Sequence, residues 1–525
     1  MSQNTFVKST IILTIATLLS KIIGSVYKIP LQNIAGDEVL GIFGLVYPVY
    51  MVALYLSVAG IPLAISKLIT EANTRGETHK VHKIYRTATI LAICFGVLSF
   101  ALILALSGFI SDLLGGPSTR FALIVVAMTL LVAPYMAVYR GFFQGYGDMK
   151  PTAISQVIEQ LVRAVLIIAI AIILVKLDYS NDIVAGGVMF GSIIGVLGSL
   201  LFLRNKYRKS PFKAVKQDAY TKTQFKEYSS TILKISLPIA IGSVTMALFN
   251  FVDSFTIPAG LRASGVNQDD ITYLFGIYGR GTTLIQITTV FASSIILPLV
   301  PLITKKLVEK DLQGTREVIE QTQKITHLIS WPAAFGLLAL TIPLNIALFT
   351  NTEGSLMLAI INFSSVFTSL TLLGTGILQG MNAAKLGAYI IVVGVGIKVL
   401  TNLLFISQLG LNGAAYATLF VYAVIFIINT IFIYRKIKFT IITPAILKMF
   451  GSALVMGAVV GIPTLLLDVE NWSRLMALLY VILAATIGAT IYFALLWLTK
   501  GIQQQDLRKL PIIGKKIQKK YPINK

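Results

Sequence analysis

Two lysines, Lys21 and Lys28, stand seven residues apart in TLLSKIIGSVYKIP (17–30), a run otherwise apolar enough to cross a membrane. On a helix that spacing puts both on one face, with Gly24 and Ser25 nearby. An ammonium near the bilayer centre costs at least about 2.5 to 3.5 kcal/mol, so it should face protein or water. Arg280 lies between Gly279 and Gly281 in YGRGTTLIQ, about 10 Å inside the outer end of its span at 1.5 Å per residue. If the first and eighth spans face each other, Lys21, Lys28 and Arg280, with Ser25, line one cationic cavity. A guanidinium fork takes phosphate oxygens bidentately and lysines add point charge, so such a cavity fits a phosphate group, and the blander reading is inert snorkelling.

The other charges inside spans have blander readings beside functional ones. Glu159 and Arg163 are four apart and can neutralise each other. Lys234 is one turn from the end of its span and can snorkel. Lys398 shares a face with Asn402 and serves either a cavity or interhelical hydrogen bonding. Asp253 lies three residues after Asn250; it could form a cation site or proton relay, and the favoured reading is a counter-ion for Arg280.

These residues need a scaffold, and composition says which kind. The chain has 525 residues, 56% of them hydrophobic and only 13% charged, whereas soluble domains carry about a quarter charged residues. It is a polytopic membrane protein. The net charge of +22 resides mostly in short loops, the pattern of membrane topology rather than of nucleic-acid binding. Cys94 is the single cysteine, so there is no internal disulfide, and His79, His82 and His327 lack ligand company. No Walker A, HExxH or paired-histidine motif is present, so neither an enzyme nor a cofactor is expected. The first apolar run reads as a retained helix rather than a cleaved signal peptide.

Fourteen segments meet or approach the twenty or so apolar residues a span needs. They are 9–35, 39–68, 84–111, 120–144, 152–176, 183–203, 231–257, 271–303, 322–349, 355–380, 386–407, 412–434, 442–467 and 474–499. Of 44 Lys and Arg, four fall in loops on one side (Arg120, Lys176, Arg262, Arg474), six within spans, and the rest on the side of the two termini. That bias predicts cytoplasmic termini in the cytoplasmic membrane.

An internal repeat sets the expected architecture. ISKLITEANTRGE (65–77) realigns with ITKKLVEKDLQGT (303–315) at an offset of 238, and GFFQG (141–145) with GILQG (376–380) at 235. The second offset also carries Arg163 onto Lys398. Since the shift spans an even number of helices, the copies run in the same sense. The expected layout is an N-terminal lobe of six spans (1–204), a basic linker (205–230), a C-terminal lobe of six (231–435), two appended spans (436–500) and a basic tail (501–525). Linker and tail would rest on anionic lipid headgroups.

STIILTIATLLSKIIGSVYKIPL, AGIPLAISKLI, RGFFQGYGDMKPTAISQVIEQLVR and GILQGMNAAKLGAYIIVVGVGIKVLTN together resemble the MurJ/SpoVB group of the MOP exporter superfamily over nearly the whole chain. The resemblance implies an all-α, MATE-like transporter of fourteen helices that flips an undecaprenyl-pyrophosphate-linked sugar, lipid II foremost, by alternating access. It carries basic cavity positions onto Lys21 and Arg280; the second basic position of the first span has no strict counterpart, since Tyr27 holds the register and Lys28 sits one along. A sodium site of some members would fall on Asp253 and Asn402, with Ile406 where a further acid would stand. Two rivals are a multidrug or cation antiporter, which needs an acidic cavity, and a scaffold engaging the cell-wall synthesis machinery.

Overall fold

A computed structural model describes residues 3–211 and 220–501. The expected tail beyond 501 and the middle of the expected linker lie outside them. Every regular element among the described residues is helical. The chain begins with α1 (Gln3–Val26), which runs through Tyr27 into α2 (Lys28–Leu54). Inside α2, Gly36 adopts φ 82°, a left-handed conformation that glycine enters without steric cost, and the helix kinks there. A π-helical turn at Tyr55–Ala59 leads to α3 (Ile61–Thr74).

The next helices are α4 (Thr78–Leu114), α5 (Ser118–Ala127), α6 (Ala133–Gly145), α7 (Lys150–Lys176) and α8 (Asn181–Arg208). Pro134 and Pro151 occupy the first turns of α6 and α7, where a missing N–H leaves no bond unmade. Then come α9 (Lys222–Ala263) and α10 (Asp270–Val308). Thr221 and Gln224 form a reciprocal capping box at the start of α9. The second half continues with α11 (Leu312–Ala339), α12 (Thr341–Phe349), α13 (Ser355–Phe363), α14 (Ser365–Gly380), α15 (Ala384–Leu409), α16 (Leu411–Lys436), α17 (Pro444–Leu466) and α18 (Arg474–Leu498).

Among the described residues, eleven helices are long and apolar enough to cross a membrane, or twelve when α11 and α12, bent by 77°, count as one broken span. The run Ile12–Thr74 within that number covers two of the expected spans, and α9 covers the expected 231–257. The fourteen expected segments are thus all helical.

Two compact units can be distinguished: Met1–Val290 with Ala384–Val421, and Phe291–Ala383 with Tyr422–Lys525. The first draws helices from both halves of the repeat. The repeat itself is written into the hydrogen bonds. Thr70 Oγ1 donates to the Gly145 carbonyl at 2.9 Å, and Thr304 Oγ1 donates to the Gly380 carbonyl at 3.0 Å. A Cβ on Gly145 would press on Ile69, and one on Gly380 on Ile303, so in each half a bare glycine lets two helices touch. These clasps relate Thr70 to Thr304 at 234 residues, not the 238 read from Lys67 and Lys305. The reason is local: an exposed Lys–Glu pair four residues apart recurs in both copies, Lys67–Glu71 and Lys305–Glu309, one turn out of register.

Candidate functional site

Three buried or half-buried acids organise the polar interior of the first unit. Asp37 follows the Gly36 kink on α2 and receives Arg280 of α10: Nε donates to Oδ1 at 2.7 Å and Nη2 donates to Oδ2. Arg280 is fully buried and Asp37 is 6% exposed. Gln32 Nε2 adds a third donor to Asp37 Oδ2 at 3.0 Å. The approach is possible because α2 and α10 meet through glycines. A Cβ on Gly41 would collide with the Thr272 carbonyl, and one on Gly276 with the Asp37 carbonyl.

Glu159 of α7 is the second acid. Arg163 Nη2 donates to its Oε1 and Arg140 Nη2 to its Oε2, both at 2.9 Å. Arg140, from α6, also donates to Ser155 and Ser199. Arg163 Nη1 reaches the Tyr47 hydroxyl at 3.3 Å. The expected Glu159–Arg163 pair is therefore a triad, with one positive charge in excess.

Asp253 of α9 is the third. It lies 3.2 Å from Lys398 Nζ on α15 and accepts from Asn402 Nδ2 at 2.7 Å and from the Tyr278 hydroxyl at 2.9 Å. Lys398 also donates to Thr418 of α16. The expectation that Asp253 serves Arg280 is thus corrected, because Arg280 is held by Asp37 and Asp253 by Lys398. Asn250, three residues before Asp253, has an exposed side chain and takes no part in these bonds. Lys398 and Asn402 do share a face, as expected, and both are buried.

Lys21 and Lys28 stand apart from these acids. Lys28 Nζ donates to Gln286 Oε1 on α10 at 3.2 Å, a neutral partner. Lys21 is exposed, and Ser25 is buried with its hydroxyl turned to the Lys21 carbonyl. Among the described residues neither lysine has a carboxylate within 4.0 Å. Lys28 reaches Gln286 of α10, so the expected juxtaposition of the first span with the eighth is present. Arg280, however, meets Asp37 there rather than an open cavity. Lys234 is exposed, in keeping with snorkelling.

Neither Asp37 nor Arg140 is among the candidate residues that the sequence singles out. Asp37 sits at a span boundary, where acids are commonplace, and only the glycine before it hints at an inward turn. Arg140 gave a clearer hint, lying one residue before a glycine-rich helix end and within reach of Glu159.

A bundle with eleven or twelve helices, among the described residues, long and apolar enough to cross the hydrocarbon core is a polytopic membrane protein. The chain belongs to the polysaccharide biosynthesis protein family, which it matches over residues 6–306. It is 30% identical to the uncharacterized membrane protein YabM of Bacillus subtilis, over 97% of this chain and 95% of that protein. With the Bacillus subtilis lipid II flippase MurJ it shares 25% identity over 96% of this chain and 97% of that one. Stage V sporulation protein B of the same organism is 26% identical, over 98% and 100%. Among solved structures, lipid II flippase MurJ in an inward closed conformation aligns with a TM-score of 0.66, 16% identity and coverage of 92% and 99%. An inward-facing multidrug resistance MATE family transporter aligns at 0.61, 18% identity, and 81% and 94%.

Proposed function

We propose that this protein is a flippase for an undecaprenyl-pyrophosphate-linked cell-wall precursor, lipid II or a related lipid-linked oligosaccharide, in the cytoplasmic membrane with both termini inside. The carrying observation is the imbalance in the first unit. The three acids of the polar interior already have basic partners, Asp37 with Arg280, Glu159 with two arginines and Asp253 with Lys398. Among the described residues Lys21 and Lys28 are left with no carboxylate within 4.0 Å, and a diphosphate is the kind of headgroup that such lysines compensate. The two lobes of six spans, 1–204 and 231–435, would rock about this headgroup while the lipid tail trails between them. The membrane potential, worth about 2.3 kcal/mol per charge per 100 mV, favours outward passage of the anion.

A cation antiporter requires an acid free to hold the drug or the ion, and the paired state of Asp37, Glu159 and Asp253 argues against it. The test is reconstitution in liposomes with fluorescent lipid II, scored by the fraction that becomes accessible at the opposite leaflet. Transport of lipid II that falls at least tenfold on joint Lys21→Gln and Lys28→Gln replacement supports the proposal. Export of cationic dyes with no movement of lipid II would overturn it.

A further inference from the structure

Five side chains from four helices meet around Asp253, and their donors and acceptors can be assigned by chemistry alone. Thr256 Oγ1 donates to the Val252 carbonyl at 2.7 Å, so towards Asn402 it accepts. Asp253 as a carboxylate only accepts. Both contacts, each 2.7 Å, therefore require the Nδ2 end of Asn402. That orientation leaves Asn402 Oδ1 fully buried and without a hydrogen-bond partner. Thr418 Oγ1 likewise donates to the Ala414 carbonyl at 2.8 Å and so offers its lone pair to Lys398.

The result is a carboxylate oxygen and a hydroxyl oxygen on one cation, Lys398 Nζ, with an uncommitted amide oxygen on Asn402, the residue one turn further along α15. Carboxylate, hydroxyl and amide oxygens are the ligands that hard metal cations take. An ammonium is a compact point charge with the same appetite. Lys398 is 1% exposed and Asp253 5%, so the acid cannot be balanced from bulk water.

We propose that this is a monovalent-cation pocket whose occupant is the chain's own lysine: the Lys398 ammonium stands in the place of an alkali ion and makes sodium dispensable there. The pocket is tested by ion binding and not by transport, so its failure is separate from any failure of the flippase reading.

The experiment uses the full-length protein in nanodiscs, its melting temperature read in sodium chloride and in choline chloride at equal ionic strength. Wild type should be indifferent to the cation. Lys398→Met should gain a sodium-specific rise of a few degrees, as ligand linkage requires. Lys398→Arg, which keeps a tethered cation, should stay indifferent, and adding Asp253→Asn to Lys398→Met should abolish the gain. If Lys398→Met does not fold in choline, Lys398→Gln takes its place, and sodium-dependent recovery of folded protein for either variant is the same positive result. Wild type stabilised specifically by sodium, a folded Lys398→Met that ignores sodium, or variants unfolded with and without sodium would each overturn the proposal.

Discussion

Arg280 and Asp37 form a two-point ion pair between α10 and the kinked start of α2, with the guanidinium fully buried. They are 243 residues apart, one in each half of the repeat. Removing one partner of such a pair leaves an uncompensated charge, at a cost of about 3 to 5 kcal/mol. Arg280→Ala and Asp37→Ala are each expected to lower thermal stability by that order. The double replacement Asp37→Leu with Arg280→Met should recover much of it, since a packed apolar pair removes both charges. Melting curves of the four proteins in one detergent decide the matter, and a double variant as unstable as the sum of the singles would contradict it.

The Arg140–Glu159–Arg163 triad is asymmetric. Loss of Glu159 leaves two arginines facing each other in the interior, whereas loss of either arginine leaves one intact pair. Glu159→Ala should therefore destabilise by about 3 kcal/mol or more, and Arg140→Met and Arg163→Met by clearly less. Equal losses in all three, measured by chemical unfolding, would show that the shared carboxylate is not the keystone.

Gly276 lies against the backbone of Asp37, where a methyl group has no room. Gly276→Ala should force α10 away from α2 at a cost of about 1 to 3 kcal/mol. It should also weaken the Arg280–Asp37 pair. Cysteines placed on the facing turns of α2 and α10 would cross-link more slowly in the variant.

Lys28 is held by the amide of Gln286, and charge rather than shape is what it offers an anion. Lys28→Arg should retain most flipping in reconstituted vesicles, while Lys28→Gln should reduce it several-fold. Because an exposed or half-buried lysine contributes little to folding, both variants should melt close to wild type.

At the start of α11, Asp311 caps the helix by accepting from the Gly314 N–H at 2.7 Å and pairs with Lys306 at 2.6 Å. The Lys306 bond first, and the Gly314 amide next, hold its carboxyl below the ordinary 3.8. A depressed carboxyl stabilises the fold above its unfolded value, and that contribution is lost as pH falls through the lower folded value. Amide exchange at Gly314 should stay protected from neutral pH down to about pH 4 and rise, beyond the change in intrinsic rate, only in stronger acid. In Asp311→Ala that protection should be missing already at neutral pH.

Apolar length made the spans legible, and the two halves could be aligned because glycine blocks such as GFFQG and GILQG mark where helices touch. The Glu159–Arg163 pair was legible because four residues is one helical turn. What stayed hidden depends on distance in the chain. Asp253 meets Lys398 across 145 positions, and no spacing rule connects them. Asp37 turns inward only because Gly36 adopts a left-handed φ, a backbone event that hydropathy does not register.

Arg163 and Lys398 hold corresponding stations, 235 residues apart, yet their anions come from different places. Glu159 rides on the same helix as Arg163, whereas Asp253 belongs to α9 and Lys398 to α15. A shared rod keeps its two charges together however it tilts. The Lys398 contact, by contrast, stretches whenever α9 and α15 slide past one another, so of these two ion pairs it is the one that turns helix sliding into a change in electrostatic energy.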